Sequence, residues 1–248
     1  MGRSLRFRLR YGIGHHIANQ SYFIHKKLKL FKNKFLYGYN PYTDPYLLLF
    51  VDPGLINEIM ATSSLNPRCN DHGLAGEIKA GSWDTNTQKL STHWKYKDFY
   101  KHFMQNESWE NTTHYSNMHN AGISHDNIIL NLEKYDEMFK QFKKGDYRYG
   151  ETTGDILVDE VLVNIGRDGS FILSGGGNHR LCLAKIAKLN TIPVRVMVRH
   201  EEWQNIRECI CKSTKNGERI PRKFLEYENH PDVSHLIESK PRHTESLV

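Results

Sequence analysis

Val161-Leu162-Val163-Asn164-Ile165-Gly166-Arg167-Asp168-Gly169-Ser170-Phe171-Ile172-Leu173-Ser174-Gly175-Gly176-Gly177-Asn178-His179-Arg180 is the stretch that decides the fold. Four of residues 161–165 are aliphatic, three of them β-branched, which reads as a strand. Asp168-Gly169 is a favoured hairpin turn, and residues 170–173 are the partner strand. A run of glycines then leads into a helix whose apolar side is Leu181, Leu183, Ala184, Ile186 and Ala187. Asn190-Thr191-Ile192-Pro193 ends that helix, and residues 194–198 form another strand. Hairpin, glycine turn, helix and strand in this order predict an α/β (α+β) protein.

The glycine turn is also the segment that carries chemistry. Glycines let a backbone approach an anion closely and adopt positive φ. A helix start that follows them presents N–H groups and the positive end of its dipole. Gly175, Gly176, Gly177, Asn178, His179 and Arg180 are therefore the candidate phosphate-binding residues. Arg180 supplies a charged, bidentate contact, His179 a donor or proton carrier near neutral pH, and Asn178 a helix cap. The spacing is neither that of a P-loop nor GxGxxG. The plain structural alternative is that the glycines only make a tight turn and Arg180 pairs with a surface carboxylate.

The longer pattern is more specific. Asp159-Glu160 and the strand after it, Gly166-Arg167-Asp168-Gly169, Gly177-Asn178-His179-Arg180-Leu181, Ala184-Lys185 and Ile192-Pro193-Val194 together resemble the ParB/sulfiredoxin superfamily over about residues 155–200. Residues 47–59 resemble its first strand and turn. The resemblance implies a ParB/sulfiredoxin-like mixed sheet with a helical insertion at about 60–150, and a nucleotide held at the glycine turn. Members include ATP-using sulfiredoxins, CTP-binding partition proteins, free-serine kinases and proteins described as nucleases. Sulfiredoxins carry a cysteine immediately before the His-Arg pair, where this chain has Asn178; Cys182 lies a turn further on. Partition proteins follow the nucleotide domain with a helix-turn-helix region, and the segment after Val198 is polar and proline-interrupted.

What is left is an ATP- or NTP-dependent kinase acting on a small hydroxyl-bearing or carbohydrate (glycan) acceptor, with Mg2+ arriving on the nucleotide. Phosphoryl transfer needs clamped phosphates and often a carboxylate base. Glu77 and Asp84, in the glycine-rich segment Gly73-Leu74-Ala75-Gly76-Glu77-Ile78-Lys79-Ala80-Gly81-Ser82-Trp83-Asp84, are the candidate catalytic carboxylates beside His179, with Asp159 and Glu160 behind them. A loop turn or a surface charge is the plain alternative for each. A nucleic-acid-binding or nuclease-like protein is the competing function, and a nucleotide-binding regulator without chemistry is a third.

Working outward, 248 residues divide into a basic segment (1–45), a central domain (46–212) and a polar tail (213–248) expected to be irregular or draped over the surface. The net charge of +6 is uneven: nine of the 34 cations and no acid precede Asp44, leaving 25 cations against 28 acids. Residues 1–36 therefore suit an anionic partner, a nucleic acid or a membrane surface, or simply a solvated face. Leu55, Ile56, Ile59 and Met60 predict a short helix, residues 62–92 a structured loop, and residues 93–105 and 124–144 amphipathic helices. His200, at a strand end, either faces the nucleotide or caps a helix. Trp83 and Trp109 read as packing residues. The 14 histidines show no compact metal-ligand spacing, so no metal site is assigned. The longest apolar run is six residues, too short for a transmembrane segment, and the four cysteines lack a CxxC pair. Both point to a cytoplasmic chain with reduced thiols.

Overall fold

In the computed structural model, residues 48–61, 76–147 and 161–238 are described, along with Leu28 and Phe31 of an earlier helix. The rest of the basic segment, Asp159 and Glu160 thus lie outside the described residues. The chain is a mixed α/β protein built on a seven-stranded sheet in the order β1-β7-β5-β6-β2-β4. β1 is Leu48–Val51, β2 Ile56–Met60, β3 Glu77–Lys79, β4 Thr87–Lys89, β5 Val161–Ile165, β6 Phe171–Leu173 and β7 Ile192–His200. β3 lies alongside the C-terminal half of β7, and β1 alongside its N-terminal half. Between β4 and β5 run α1 (Trp94–Gln105), α2 (Thr113–Asn120) and α3 (His125–Lys143). α4 (Asn178–Ala187) joins β6 to β7, and α5 (Glu201–Asn216) and α6 (Pro231–Glu238) follow.

β5 explains the layering. All five of its residues are buried, because alternate side chains enter opposite layers. Val161, Val163 and Ile165 join the large core with Phe99, Ile128, Leu132 and Leu181 from the helices. Leu162 faces the other way, with Trp83, Ile172, Met197 and Val198. The β5–β6 hairpin is antiparallel and β7 returns parallel to β5, so α4 is the crossover. α1 and α3 both pack on α4. Lys185 of α4 reaches the β1–β2 connection, where its Nζ donates to Pro53 O (2.8 Å), Ile56 O (2.8 Å) and Asn57 Oδ1 (3.0 Å).

Three expectations need correction. Residues 55–60 are not a helix: Asp52 accepts from Gly54 N to hold a 3-10 turn over Pro53–Leu55, and β2 follows it, parallel to β6. A register shift between Ile56 and Glu58 resets the strand's alternation. Ile56 and Ile59 are therefore both buried, a spacing of three that imitates a helical stripe. Within the expected loop, β3 and β4 are strands of the sheet, so the helical part of the insertion begins at Trp94.

The third correction concerns the tail. α5 runs to Asn216, a 3-10 helix covers Arg222–Tyr227, and α6 follows. Val233 and Leu236 are core residues, and Asp232 is fully buried. The Asp232 carboxylate accepts from Arg199 Nε (2.9 Å) and Nη2 (2.7 Å) and from Trp203 Nε1 (2.9 Å). Arg207 Nε lies 2.9 Å from Oδ2 and donates to the Asp232 carbonyl at 3.0 Å. His230 Nδ1 accepts from Asp232 N (3.1 Å), which leaves Nε2 to donate to Gly169 O at 2.9 Å. The helix that looked like a tail thus holds the β5–β6 turn. Gly169 has a φ of 87°, and a Cβ there would meet Trp203 at 2.7 Å.

Burial alone would raise the Asp232 carboxyl, but Arg199 and Arg207 hold it far below the usual carboxylate range. A depressed folded-state value stabilises the protein above the unfolded value and loses that contribution as pH falls. Asp232→Ala leaves two buried arginines without their carboxylate and is expected to cost about 3–5 kcal/mol, read as the urea midpoint at pH 7. The wild type should lose most of this margin below about pH 4, where the variant's own pH dependence should be flatter.

Candidate functional site

The glycine turn has the backbone that its sequence predicts. Gly175 and Gly177 adopt φ of 114° and 72°, the left-handed side open to glycine. Gly176 lies against β5, where a Cβ would meet Leu162 Cδ1 at 2.5 Å. Leu162 pins the turn twice, its N donating to Gly176 O (3.2 Å) and its O accepting from Ser174 N (2.8 Å). α4 then starts with Gly177 as its N-cap and no side-chain cap. Asn178 is therefore the first helical residue and not the cap. Its Oδ1 is buried without a hydrogen-bond partner. The N–H groups of a helix's first turn lack intrahelical acceptors, and here a glycine cap provides none.

Against this helix start the preceding helices bring residues that no local pattern links to it. The His179 ring sits 5.8 Å from Phe99 of α1, 5.4 Å from His114 of α2 and 4.9 Å from Tyr135 of α3. Its Nδ1 is 3.3 Å from the Tyr135 hydroxyl. Burial lowers the His179 pKa, and nearby Lys95, His114 and His93 lower it further, to about 3. His179 is thus neutral throughout the physiological range. His114 is depressed by burial and by Lys95 and His93, with Asp98 opposing. Burial also depresses Lys95. Lys95 and three imidazoles consequently converge on the start of α4 and disfavour one another's charge. The carboxylate of the group, Asp98, is already engaged by His114 and Thr113. Arg180 lies 5.8 Å over the Tyr147 ring. Among the described residues, an arrangement with cationic character, helix N–H groups without a side-chain cap and its one carboxylate already engaged favours an oxyanion.

The predicted carboxylates are elsewhere. Asp84 Oδ2 accepts from Arg167 N (3.0 Å) and Nε (2.9 Å), and Oδ1 from Arg167 Nη2 (2.7 Å). Burial would raise this carboxyl, but the Arg167 hydrogen bonds and charge hold it at about 2. Arg167 and His200 both donate to Gly81 O, at 2.9 and 2.8 Å. His200 also caps α5, its Nδ1 accepting from Glu202 N. Trp83 is buried and donates to Lys79 O. This cluster clasps the far end of the hairpin. At about 3.3 Å per residue, the end of β5 at Ile165 stands roughly 10 Å from Leu162, and Arg167 lies in the turn beyond it. Glu77 opens β3, opposite Val198 of β7. The structure therefore brings Gly175, Gly176, Gly177, Asn178, His179 and Arg180 together with Lys95, His93 and His114, and leaves Glu77 and Asp84 apart from them.

His93, Lys95, Asp98, His114 and Tyr135 are the site residues that the sequence reading missed. Their local signal was only that of amphipathic helices. No protein-family model, curated protein or solved structure matches this chain.

Asp84→Asn removes the ion pair and keeps the shape. It should destabilise the fold by about 1–3 kcal/mol in urea denaturation. Ligand-induced stabilisation by a nucleoside triphosphate should be unchanged in size. Loss of that ligand effect with a normal midpoint would instead place Asp84 at the ligand.

Proposed function

We propose that this protein binds a nucleoside triphosphate at the start of α4 and transfers its terminal phosphoryl group to a small hydroxyl-bearing or carbohydrate acceptor. The observation that carries the reading is the uncapped α4, opened by positive-φ glycines and faced by Lys95 and three imidazoles whose one carboxylate is already taken. The order of hairpin, glycine turn, helix and parallel strand supports the ParB/sulfiredoxin-like fold that the sequence resembles. Cys182 argues against sulfiredoxin chemistry: burial pushes its thiol up to about 12 despite Lys95 and Lys185, whereas the reactive form is the thiolate.

In this reading the backbone N–H groups of the first turn and Lys95 hold the phosphate oxygens, and Gly176 lets the chain lie close to β5. Arg180 contributes a permanent charge at the rim. Phosphoryl transfer depends mainly on such positioning and charge compensation. Magnesium belongs to the nucleotide, whose phosphates supply its oxygen ligands. A second reading rests on the nine cations before Asp44: binding to nucleic acid whose affinity falls steeply with salt and is lost without residues 1–36.

A thermal-shift panel of ATP, ADP, CTP and GTP, each with magnesium, tests the first reading. A ligand at a hundred times its Kd adds about 2.7 kcal/mol, which raises the midpoint of a chain this size by about 5 °C or more. One triphosphate should do so in the wild type and fail in Arg180→Ala. Labelled terminal phosphate then separates a transferase from a regulator. An unchanged affinity in Arg180→Ala overturns the assignment, and no shift with any nucleotide favours the nucleic-acid reading.

A further inference from the structure

His114 of α2, whose ring lies 5.4 Å from that of His179, has hydrogen bonding that is half finished. Asp98 accepts from its backbone N (2.8 Å) and from Nδ1 (2.9 Å), and from Thr113 Oγ1 (3.1 Å). An ionised carboxylate only accepts, so Nδ1 carries the hydrogen and Nε2 of the neutral ring is a bare lone pair. The His114 side chain is 7 % exposed, and Nε2 is buried with no hydrogen-bond partner. A buried acceptor in that condition is costly unless something supplies its partner.

The groups that face His114 determine what can arrive. From α1 and its cap come Asp98, which favours an imidazolium, and Lys95 and His93, which oppose one. From α3 comes Tyr135, its ring 5.9 Å away. From α4 comes His179 at 5.4 Å, itself beside the uncapped helix start. A negative charge seated there would reverse the balance, because an opposite charge within about 4–6 Å favours the protonated ring. His179 is the poorer proton acceptor, since its Nδ1 has the Tyr135 hydroxyl as its hydrogen-bond partner, where His114 has the Asp98 carboxylate.

We propose that the start of α4 takes up a tetrahedral dianion together with one proton, and that the proton settles on His114 Nε2. The inference rests on the oxyanion reading of this turn and names its linkage. Dianion and solvent proton enter together, no covalent bond changes, and charges then alternate from Asp98 through the imidazolium to the anion. The site thereby favours a fully ionised phosphoryl or sulfuryl group and acquires an additional N–H donor only when loaded.

Inorganic sulfate is the probe, because it keeps its double charge across the working pH range. It is titrated into the full chain at constant ionic strength, with chloride as the balance, from pH 6 to about 8.5. Affinity should rise as pH falls, by up to about tenfold per unit. Sulfate should also convert His114 Nε2 from unprotonated to protonated in imidazole nitrogen spectra at fixed pH. His114→Asn keeps an amide N–H for Asp98 and lacks Nε2; its pH slope should flatten to less than twofold per unit. If that variant does not fold, the wild-type nitrogen spectra decide. Sulfate binding with an unprotonated His114, or a slope retained in His114→Asn and lost in His179→Asn, overturns the inference while leaving the oxyanion site standing. No sulfate binding at any pH overturns the inference as well, and the Arg180→Ala nucleotide panel then judges the underlying reading separately.

Discussion

The contact between Gly176 and Leu162 is the constraint on which the rest of the candidate site depends. A side chain at position 176 would occupy the space of Leu162, so the turn can lie on β5 only with glycine there. Leu162 spends both its N–H and its carbonyl on that turn. The turn therefore leaves β6 in a fixed direction, and α4 begins where β5 begins. α4 in turn carries the buried run Leu181, Cys182, Leu183 and Ala184, onto which α1 and α3 pack. Placing Phe99, Lys95, His114 and Tyr135 around His179 follows from one close approach of backbone to strand.

The other end of the hairpin is held by charge. Asp84 clasps Arg167 in the turn, while Asp232 gathers Arg199, Arg207 and Trp203 behind it. Buried ion pairs are weak contributors to net stability, but they are unforgiving of rearrangement. Each of these carboxylates joins segments far apart in sequence: β3–β4 to the hairpin, and α6 to β7 and α5. The clusters thus specify how the insertion and the C-terminal helices dock on a sheet whose apolar faces alone would accept several arrangements.

Legibility in the sequence followed the range of the forces involved. The β5–β6 hairpin, the glycine turn, α4, β7, α1 and α3 could be read because local periodicity and turn chemistry set them. β2 was misread because its bulge gives Ile56 and Ile59 a helical spacing. α6 was missed because the core sees little more of it than Val233, Leu236 and an aspartate, a composition that reads as solvent-exposed until Arg199 and Arg207 are known to wait for it. At the site, the backbone part was legible and the side-chain part was not. Gly175 to Arg180 are contiguous, whereas His114 and Lys95 reach the same place only through packing of α1 and α2 on α4.

The two kinds of buried polar cluster in this molecule differ in a way that separates structure from function. Around Asp232 the hydrogen bonds close on themselves: two guanidiniums and an indole donate to one carboxylate, the Asp232 carbonyl and Gln204 Oε1. Nothing further is needed for that cluster to persist, and its charges stay ionised at neutral pH, with Arg207 held near 10 by burial. Around His179 the matching is incomplete. Asp98 satisfies one edge of His114, the opposite edge and Asn178 Oδ1 are left bare, and Lys95 and His93 oppose the protonation of both central rings. A fold that can finish one cluster and leaves another unfinished beside an uncapped helix retains unfavourable electrostatics there, and perturbed groups of this kind collect where a protein meets its ligand. Among the described residues the unfinished cluster is short of negative charge, and that shortage is the physical argument for an oxyanion at the start of α4.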